Sequence, residues 1–252
     1  MQTDPHISIV LPVHNEENNI GILLTEVVAV LENRVQKPYE IIVVDDASQD
    51  NSVIVVEKYK NELGLSNHND RPSYLKNIRL LTQTVWSGQS KALMRGMVAA
   101  QGAFIITMDA DLQHDPADIP RLLEKMDTFD MVCGVRKNRS DGLARRICSK
   151  IANAFRNRIT GDSIHDSGCT FRIIRKHCIE ILKPLEDRLF GCELLFYPLM
   201  LRHRGLRVGE CAVVHRRRTS GKSNYKLIRG RFFYGIAACI KVKRLLAHFA
   251  KS

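Results

Sequence analysis

The chain lacks a cysteine framework. Its seven cysteines, at 133, 148, 169, 178, 192, 211 and 239, are odd in number, widely scattered and include no C-x-x-C pair. A disulfide-stapled fold and a structural zinc site are thereby excluded, and free thiols in a reducing compartment are expected. No charge-free apolar run reaches the ~18 residues that a membrane-crossing helix needs. Met1 to His6 hold no basic stretch leading into an apolar one, so no secretory leader is expected. These absences point to a cytoplasmic protein whose membrane contact is peripheral.

Neither the G-x-G-x-x-G nor the G-x-x-x-x-G-K-[ST] spacing occurs, which removes dinucleotide-binding and P-loop chemistry. The nine histidines contain no H-E-x-x-H pair, and His14, His114, His165 and His215 stand singly, as packing or hydrogen-bonding residues do. With one Trp, six Tyr and nine Phe, aromatics are too few to interleave with basic residues for base stacking. Nucleic acid is therefore not the expected partner. What the chain does have is positive charge: 38 Lys and Arg against 27 Asp and Glu leave +11, which calls for an anionic substrate or surface.

The 252 residues suit one α/β domain with appendages. Ile7 to Leu11 and Ile41 to Val44 are short β-branched runs, stopped by Pro12 and by Asp45-Asp46, and read as buried parallel strands. Between them Ile20, Leu23, Leu24, Val27, Val28 and Leu31 recur at helical spacing over Asn18 to Asn33. Helices over Ser52 to Tyr59 and Ser90 to Ala100 alternate with strands over Ile78 to Leu81 and Phe104 to Met108. A helix over Pro120 to Met126 and a strand over Met131 to Val135 follow, then a basic helical stretch from Arg145 to Arg158. The polar Ser66 to Ser73 insert reads as a surface loop. This alternation predicts an open, mostly parallel sheet with helices on both faces and ligands at the carboxyl ends of its strands.

Three polar segments fall at those ends. In Asp109-Ala110-Asp111-Leu112-Gln113 two carboxylates leave the sheet two residues apart, as oxygen ligands for Mg²⁺ or Mn²⁺ and a diphosphate would. Asp111 and Gln113 are the expected direct ligands, with Asp109 beside them. One strand earlier Asp46 is placed to meet a nucleoside, and Asp50 to cap the following helix. Pro12, Val13, His14, Asn15 and Glu16 form the other wall of that crevice. Gly88 to Ala92, at a helix start, reads as a weak anion cradle of backbone N–H groups. Three basic segments, Arg136 to Arg139, Arg145-Arg146 and Arg216 to Lys222, fit recognition of phosphate oxygens by forked guanidinium groups. Glu193 is an acid within an apolar stretch, either a buried anchor or a group facing an acceptor.

These motifs resemble those of the family 2 glycosyltransferases of the GT-A fold, and more narrowly the polyprenyl-phosphate glycosyltransferases, from Ile7 to about Tyr225. Pro12 to Glu16, Val44 to Asp50 and Asp109 to His114 look like the nucleotide and metal motifs, with Gly88, Ala92, Asp109, Ala110 and Asp111 on the donor side. Gly134 to Arg139, Asp166 to Arg172 and Gly221 to Tyr225 are similar to acceptor-side motifs of the dolichyl-phosphate mannose synthases and undecaprenyl-phosphate formamido-arabinose transferases. By that resemblance Arg136, Arg139, Arg145, Ser149, Arg218, Lys222 and Ser223 hold the acceptor phosphate, with Asp166 nearby. Two features depart from the pattern: Asn224 stands where many relatives carry a basic residue, and no paired membrane helices are seen.

The resemblance implies a GT-A catalytic domain over residues 1–225 and an amphipathic, basic helical tail over 226–252. In the tail, Val242, Leu245, Leu246 and Phe249 share one face opposite Lys241, Arg244 and His248, as in an interfacial helix. The apolar residues before Ile240 point elsewhere, which predicts a break near Lys241. Core packing or a subunit contact explains the same pattern equally well. The implied reaction is an inverting transfer from a nucleotide sugar, UDP before GDP, to a polyprenyl phosphate at the cytoplasmic face of an anionic membrane. Asp109, Asp111 and Arg136 would be central to it. The alternatives are a GT-A enzyme acting on a sugar hydroxyl, with Glu193 or Asp166 as base, and a non-catalytic anion- or membrane-binding module.

Overall fold

The computed structural model describes residues 5–65, 74–137, 143–186, 188, 191–218, 237–244 and 246. Its centre is a seven-stranded sheet in the order β3-β2-β1-β4-β6-β5-β7. The strands β1 (Ile7–Val13), β2 (Tyr39–Asp46), β3 (Leu75–Gln83) and β4 (Phe104–Thr107) pair in parallel, as the apolar runs require. Residues along them alternate between two cores. Ile9, Leu11, Ile41 and Val43 join one core with Leu23, Leu24 and Val27 of α1 (Ile20–Val30) and Val56 of α2 (Ser52–Leu65). Val10, Ile42 and Val44 join the other with Leu93, Met94 and Met97 of α3 (Gln89–Ala99). Both faces are covered, so these strands read as unbroken apolar stretches rather than alternating ones. Gly96 lets α3 lie on the sheet, because a Cβ there would collide with Val10 and Val44.

The expected helix over Asn18 to Asn33 is shorter at both ends; after Val30 it widens into a π-turn, Leu31–Val35, closed by left-handed Gln36. The expected helix over Pro120 to Met126 is instead α4 (Ile119–Glu124), flanked by 3₁₀ turns at Pro116–Asp118 and Lys125–Asp127. The basic stretch forms α5 (Leu143–Thr160) after β5 (Met131–Lys137). The Ser66 to Ser73 insert lies outside the described residues.

The second half holds elements the sequence pattern did not reveal. The four-residue β6 (Arg172–Arg175) inserts antiparallel between β4 and β5, and β7 (Val208–Val214) extends the sheet parallel to β5. Arginines at both ends of β6, and Gly209-Glu210 within β7, break the apolar runs that mark the other strands. Two short helices, α6 (Cys178–Leu182) and α7 (Tyr197–His203), pack near them. Residues 237–244 are helical without the break expected near Lys241, and Ala238, Cys239, Val242 and Leu246 enter one core with Leu182, Leu194 and Phe196. That stripe turns Val242 and Leu246 into protein. Among the described residues no helix is long and apolar enough to cross a membrane.

Candidate active site

The loops after β1 and β2 are laced together at the carboxyl edge of the sheet. Asn15, in a left-handed conformation, accepts from the Gln49 amide through Oδ1 at 2.7 Å and donates its own amide to Ser48 Oγ at 3.0 Å. The Glu16 amide donates to Ser52 Oγ, and Asp50 caps α2 by accepting from the Ser52 amide at 3.0 Å, as the sequence suggested. His14 Nδ1 donates to the Asp46 carbonyl at 2.7 Å. A cleft of about 570 Å³ opens here, lined by His14, Ala47, Gln49, Thr84, Val85 and Trp86. The His14 and Trp86 rings stand 6.5 Å apart, and Trp86 is 64% exposed. Sequence reasoning missed Trp86; its signal was the chain's single tryptophan, placed in a polar loop just after a strand.

Five residues expected on the nucleotide side have other surroundings. The buried Asp46 carboxylate accepts from Ser87 N and Oγ and from Gln83 Nε2 through Oδ1, and from Gly88 N through Oδ2 at 2.7 Å. Asp46 therefore fixes the Ser87-Gly88 turn, and the Gly88 amide read as part of an anion cradle is committed to it. Val13, Ala92 and Ala110 are buried in the cores, so their side chains pack rather than line the cleft. Pro12 and Glu16 remain at the rim, half-buried.

The two acids beyond β4 are held unequally. Asp109 Oδ1 accepts from Gln89 Nε2 at 2.6 Å, while Oδ2 lies 3.6 Å from His114 Nε2, itself 3.1 Å from Thr170 Oγ1. Burial works against its charge, but hydrogen bonds from His114 and Thr170 and the nearby Arg136 keep the Asp109 carboxyl below the usual range. Asp111 Oδ1 accepts the Gln113 amide at 3.1 Å, and Oδ2 lies 3.7 Å from Arg218 Nη1. Burial and the Asp109 charge push Asp111 up. Leu112, just after Asp111, is left-handed (φ 61°), at a cost on the order of 1 kcal/mol that the surrounding packing must offset. Burial likewise raises Glu16, whose Oε1 accepts from Arg218 Nη2 at 2.9 Å. One guanidinium thus stands as counter-cation between Glu16 and Asp111. Oxygen ligands with excess negative charge fit a hard divalent ion. Among the described residues no group of three or more His, Cys, Asp and Glu is placed to hold a metal, so diphosphate and water oxygens would complete its shell. The Gln113 backbone caps Asp111 and accepts from the Arg216 amide at 2.8 Å.

On the far side, at the end of β5, Arg136 forms a two-pronged pair with Asp166, Nε to Oδ2 and Nη2 to Oδ1 at 2.7 Å each. Both oxygens of Asp166 are engaged, which removes it as a base for a sugar hydroxyl. Glu193 is buried in a 3₁₀ turn, Glu193–Phe196, with Oε1 3.3 Å from the Gly191 amide. Arg145 and Ser149 belong to α5, but their side chains, like Arg139, Lys222 and Ser223 altogether, lie outside the described residues.

The family model described as Glycosyl transferase family 2 matches residues 8–182. The chain belongs to this family. It is a glycosyltransferase, and the undecaprenyl-phosphate 4-deoxy-4-formamido-L-arabinose transferase of Yersinia pestis is 36% identical to it over 236 residues, 93% of this chain and 67% of that one. The dodecaprenyl-phosphate galacturonate synthase of Rhizobium johnstonii is 36% identical over 228 residues, 88% of this chain and 62% of the relative. The chain thus spans about two thirds of these relatives' length. Among solved structures, glucosyl-3-phosphoglycerate synthase from Mycobacterium tuberculosis, in complex with Mn²⁺, UDP and glucosyl-3-phosphoglycerate, superposes with a TM-score of 0.63 at 16% identity, covering 94% of this chain and 78% of that one. At that identity the likeness establishes the fold, GT-A, as the motifs implied.

Proposed function

We propose that this glycosyltransferase moves a sugar from a nucleotide diphosphate sugar to a polyprenyl phosphate, with inversion at the anomeric carbon. The observation that carries the reading is the pair Asp109 and Asp111 at the carboxyl edge of the sheet that also carries the His14–Trp86 cleft, with Arg218 between Asp111 and Glu16 and Arg136 near Asp109. The donor base enters the cleft and its diphosphate lies over the acids. Mg²⁺ or Mn²⁺, held by Asp109, Asp111 and Gln113, would supply the positive charge that a departing nucleoside diphosphate needs.

A phosphate oxygen of the acceptor attacks the anomeric carbon as the bond to the diphosphate breaks. That oxygen is already anionic near neutral pH, so no strong base is needed and positioning by guanidinium groups supplies the acceleration. The engaged Asp166 and buried Glu193 favour this acceptor over a sugar hydroxyl, whose attack requires a free base. The named activities of the two polyprenyl-phosphate relatives support the same choice. UDP is the expected nucleotide, on the likeness to the formamido-arabinose type at Gly88-Gln89 and Arg136 to Arg139. A lipid acceptor brings the Arg136 side to an anionic membrane, at its cytoplasmic face, and the +11 charge favours that contact.

Incubation with a panel of labelled nucleotide sugars, undecaprenyl phosphate and Mn²⁺, followed by organic extraction, tests the acceptor. Label moves to the organic phase with at least one donor, and a UDP-sugar is the first expected. Label confined to the aqueous phase across the panel overturns the reading.

A further inference from the structure

Arg172 opens β6 in the middle of the sheet, opposite Thr107 of β4 and Cys133 of β5. It is fully buried, yet each of its three hydrogen bonds ends on a backbone carbonyl rather than a carboxylate: Nε to Cys169 O at 2.7 Å, Nη1 to Leu194 O at 2.6 Å and Nη2 to Ser167 O at 2.5 Å. A planar fork of donors can meet three carbonyls at once, which a lysine ammonium cannot. Those carbonyls belong to the turn before β6 and to the residue after Glu193. The turn touches both halves of the site. Its Asp166 grips Arg136, and its Thr170 hydroxyl meets His114, which faces Asp109. The Thr170 carbonyl also accepts from Thr107 Oγ1 at 2.6 Å, two residues before Asp109.

We propose that Arg172 is a positioning residue: it shapes the 166–171 turn so that Asp166 holds the Arg136 guanidinium toward the acceptor phosphate. The inference rests on the polyprenyl-phosphate reading for the ligands' identity. The geometry it describes does not depend on that reading. A buried arginine serving only the core would leave Arg136 untouched when replaced. One that positions the site loosens Arg136 first.

The test uses the full chain with ¹⁵N-labelled arginine. The Nε–H of Arg136, assigned by its loss in Arg136→Lys, is followed by hydrogen exchange, and undecaprenyl phosphate in detergent is titrated into protein loaded with UDP and Mn²⁺. In Arg172→Lys the Arg136 Nε–H exchanges at least about tenfold faster and undecaprenyl phosphate binds at least about tenfold more weakly, while the UDP affinity stays within about twofold. A folded Arg172→Lys with wild-type exchange and binding overturns the proposal, as does one that loses UDP and lipid phosphate in equal proportion. Asp166→Asn, which leaves Arg172 and the core in place, must weaken the same lipid-phosphate binding; unchanged binding also overturns it. Wild-type protein that binds no undecaprenyl phosphate overturns the acceptor reading alone, and exchange at Arg136 then decides the role of Arg172 by itself.

Discussion

Glu40 is a buried carboxylate at the amino end of the sheet and Asp111 a half-buried one just beyond its carboxyl end, and their surroundings differ. At the amino end Glu40 Oε1 accepts from Ser8 Oγ and the Gln101 amide at 2.6 Å each, and Oε2 accepts from Arg79 Nη2 at 2.8 Å. Ser8 Oγ in turn accepts from the Gly102 amide. The charge is met from every side, and the cluster ties β1, β2, β3 and the start of β4 together. At the carboxyl end Asp111 has one backbone amide and a guanidinium at 3.7 Å, and Asp45 Oδ1 is buried with no hydrogen-bond partner among the described residues. Acceptor capacity that the fold leaves unmet is capacity for a ligand. One end of the sheet is built for stability and the other for binding.

Exchanging charge for amide at each end sharpens this contrast most. Asp111→Asn is expected to lower sugar transfer by on the order of 100-fold or more, because the charge facing the diphosphate is gone, while melting no lower than wild type. Glu40→Gln is expected to behave oppositely. It leaves Arg79 without its anion and removes about 2 kcal/mol of stability, roughly 5 °C in a domain of this size, with transfer per folded molecule unchanged. Initial-rate assays beside thermal melts read both effects. If Glu40→Gln also abolishes turnover in folded protein, the division between the two ends fails.

The same contrast explains what the sequence made legible. The parallel half, β1 to β4, is visible because Ile7 to Leu11, Ile41 to Val44 and Phe104 to Met108 are buried on both faces and end abruptly in proline or acids. From that, the strand-end placement of Asp46, Asp109 and Asp111 follows. The half around β6 stays hidden because Arg172 reads as surface charge, whereas carbonyls of a turn it does not pair with satisfy its donors in the core. Val13, Ala92 and Ala110 were expected at the nucleotide because they fall within the donor-side motifs, but neighbours along a strand or helix face different ways and these three side chains enter the cores. Trp86 was overlooked because a lone aromatic carries no period.

Trp86 gives a smaller effect on the binding end alone. Its exposed ring beside His14 offers a face to a planar base, and stacking of this kind contributes about 1 kcal/mol or more. UDP is expected to quench the single tryptophan's fluorescence, and Trp86→Ala to weaken UDP about fivefold by calorimetry without a change in melting temperature. Unaltered fluorescence at saturating UDP would place the base elsewhere.

The smallest expected effect is in how stability depends on pH. Burial and the neighbouring Asp109 charge raise the Asp111 carboxyl in the folded chain above its unfolded value, and burial raises Glu16 as well. A carboxyl raised in this way binds its proton more tightly folded than unfolded. Its contribution to stability is therefore fully present below the ordinary carboxylate range, about pH 4, and is lost as pH rises through the elevated folded value. Asp111→Asn has no such proton to lose. Melting curves of the two proteins should then converge in acid and separate toward neutral pH, with the variant the more stable. At the amino end, Glu40→Gln should remain the less stable protein at neutral pH, because Arg79 loses the carboxylate it pairs with at 2.8 Å. A wild-type chain that gains stability over Asp111→Asn as pH rises would mean that Asp111 is stabilised by its surroundings like Glu40, and the carboxyl end would lose the unmet charge on which its binding role depends.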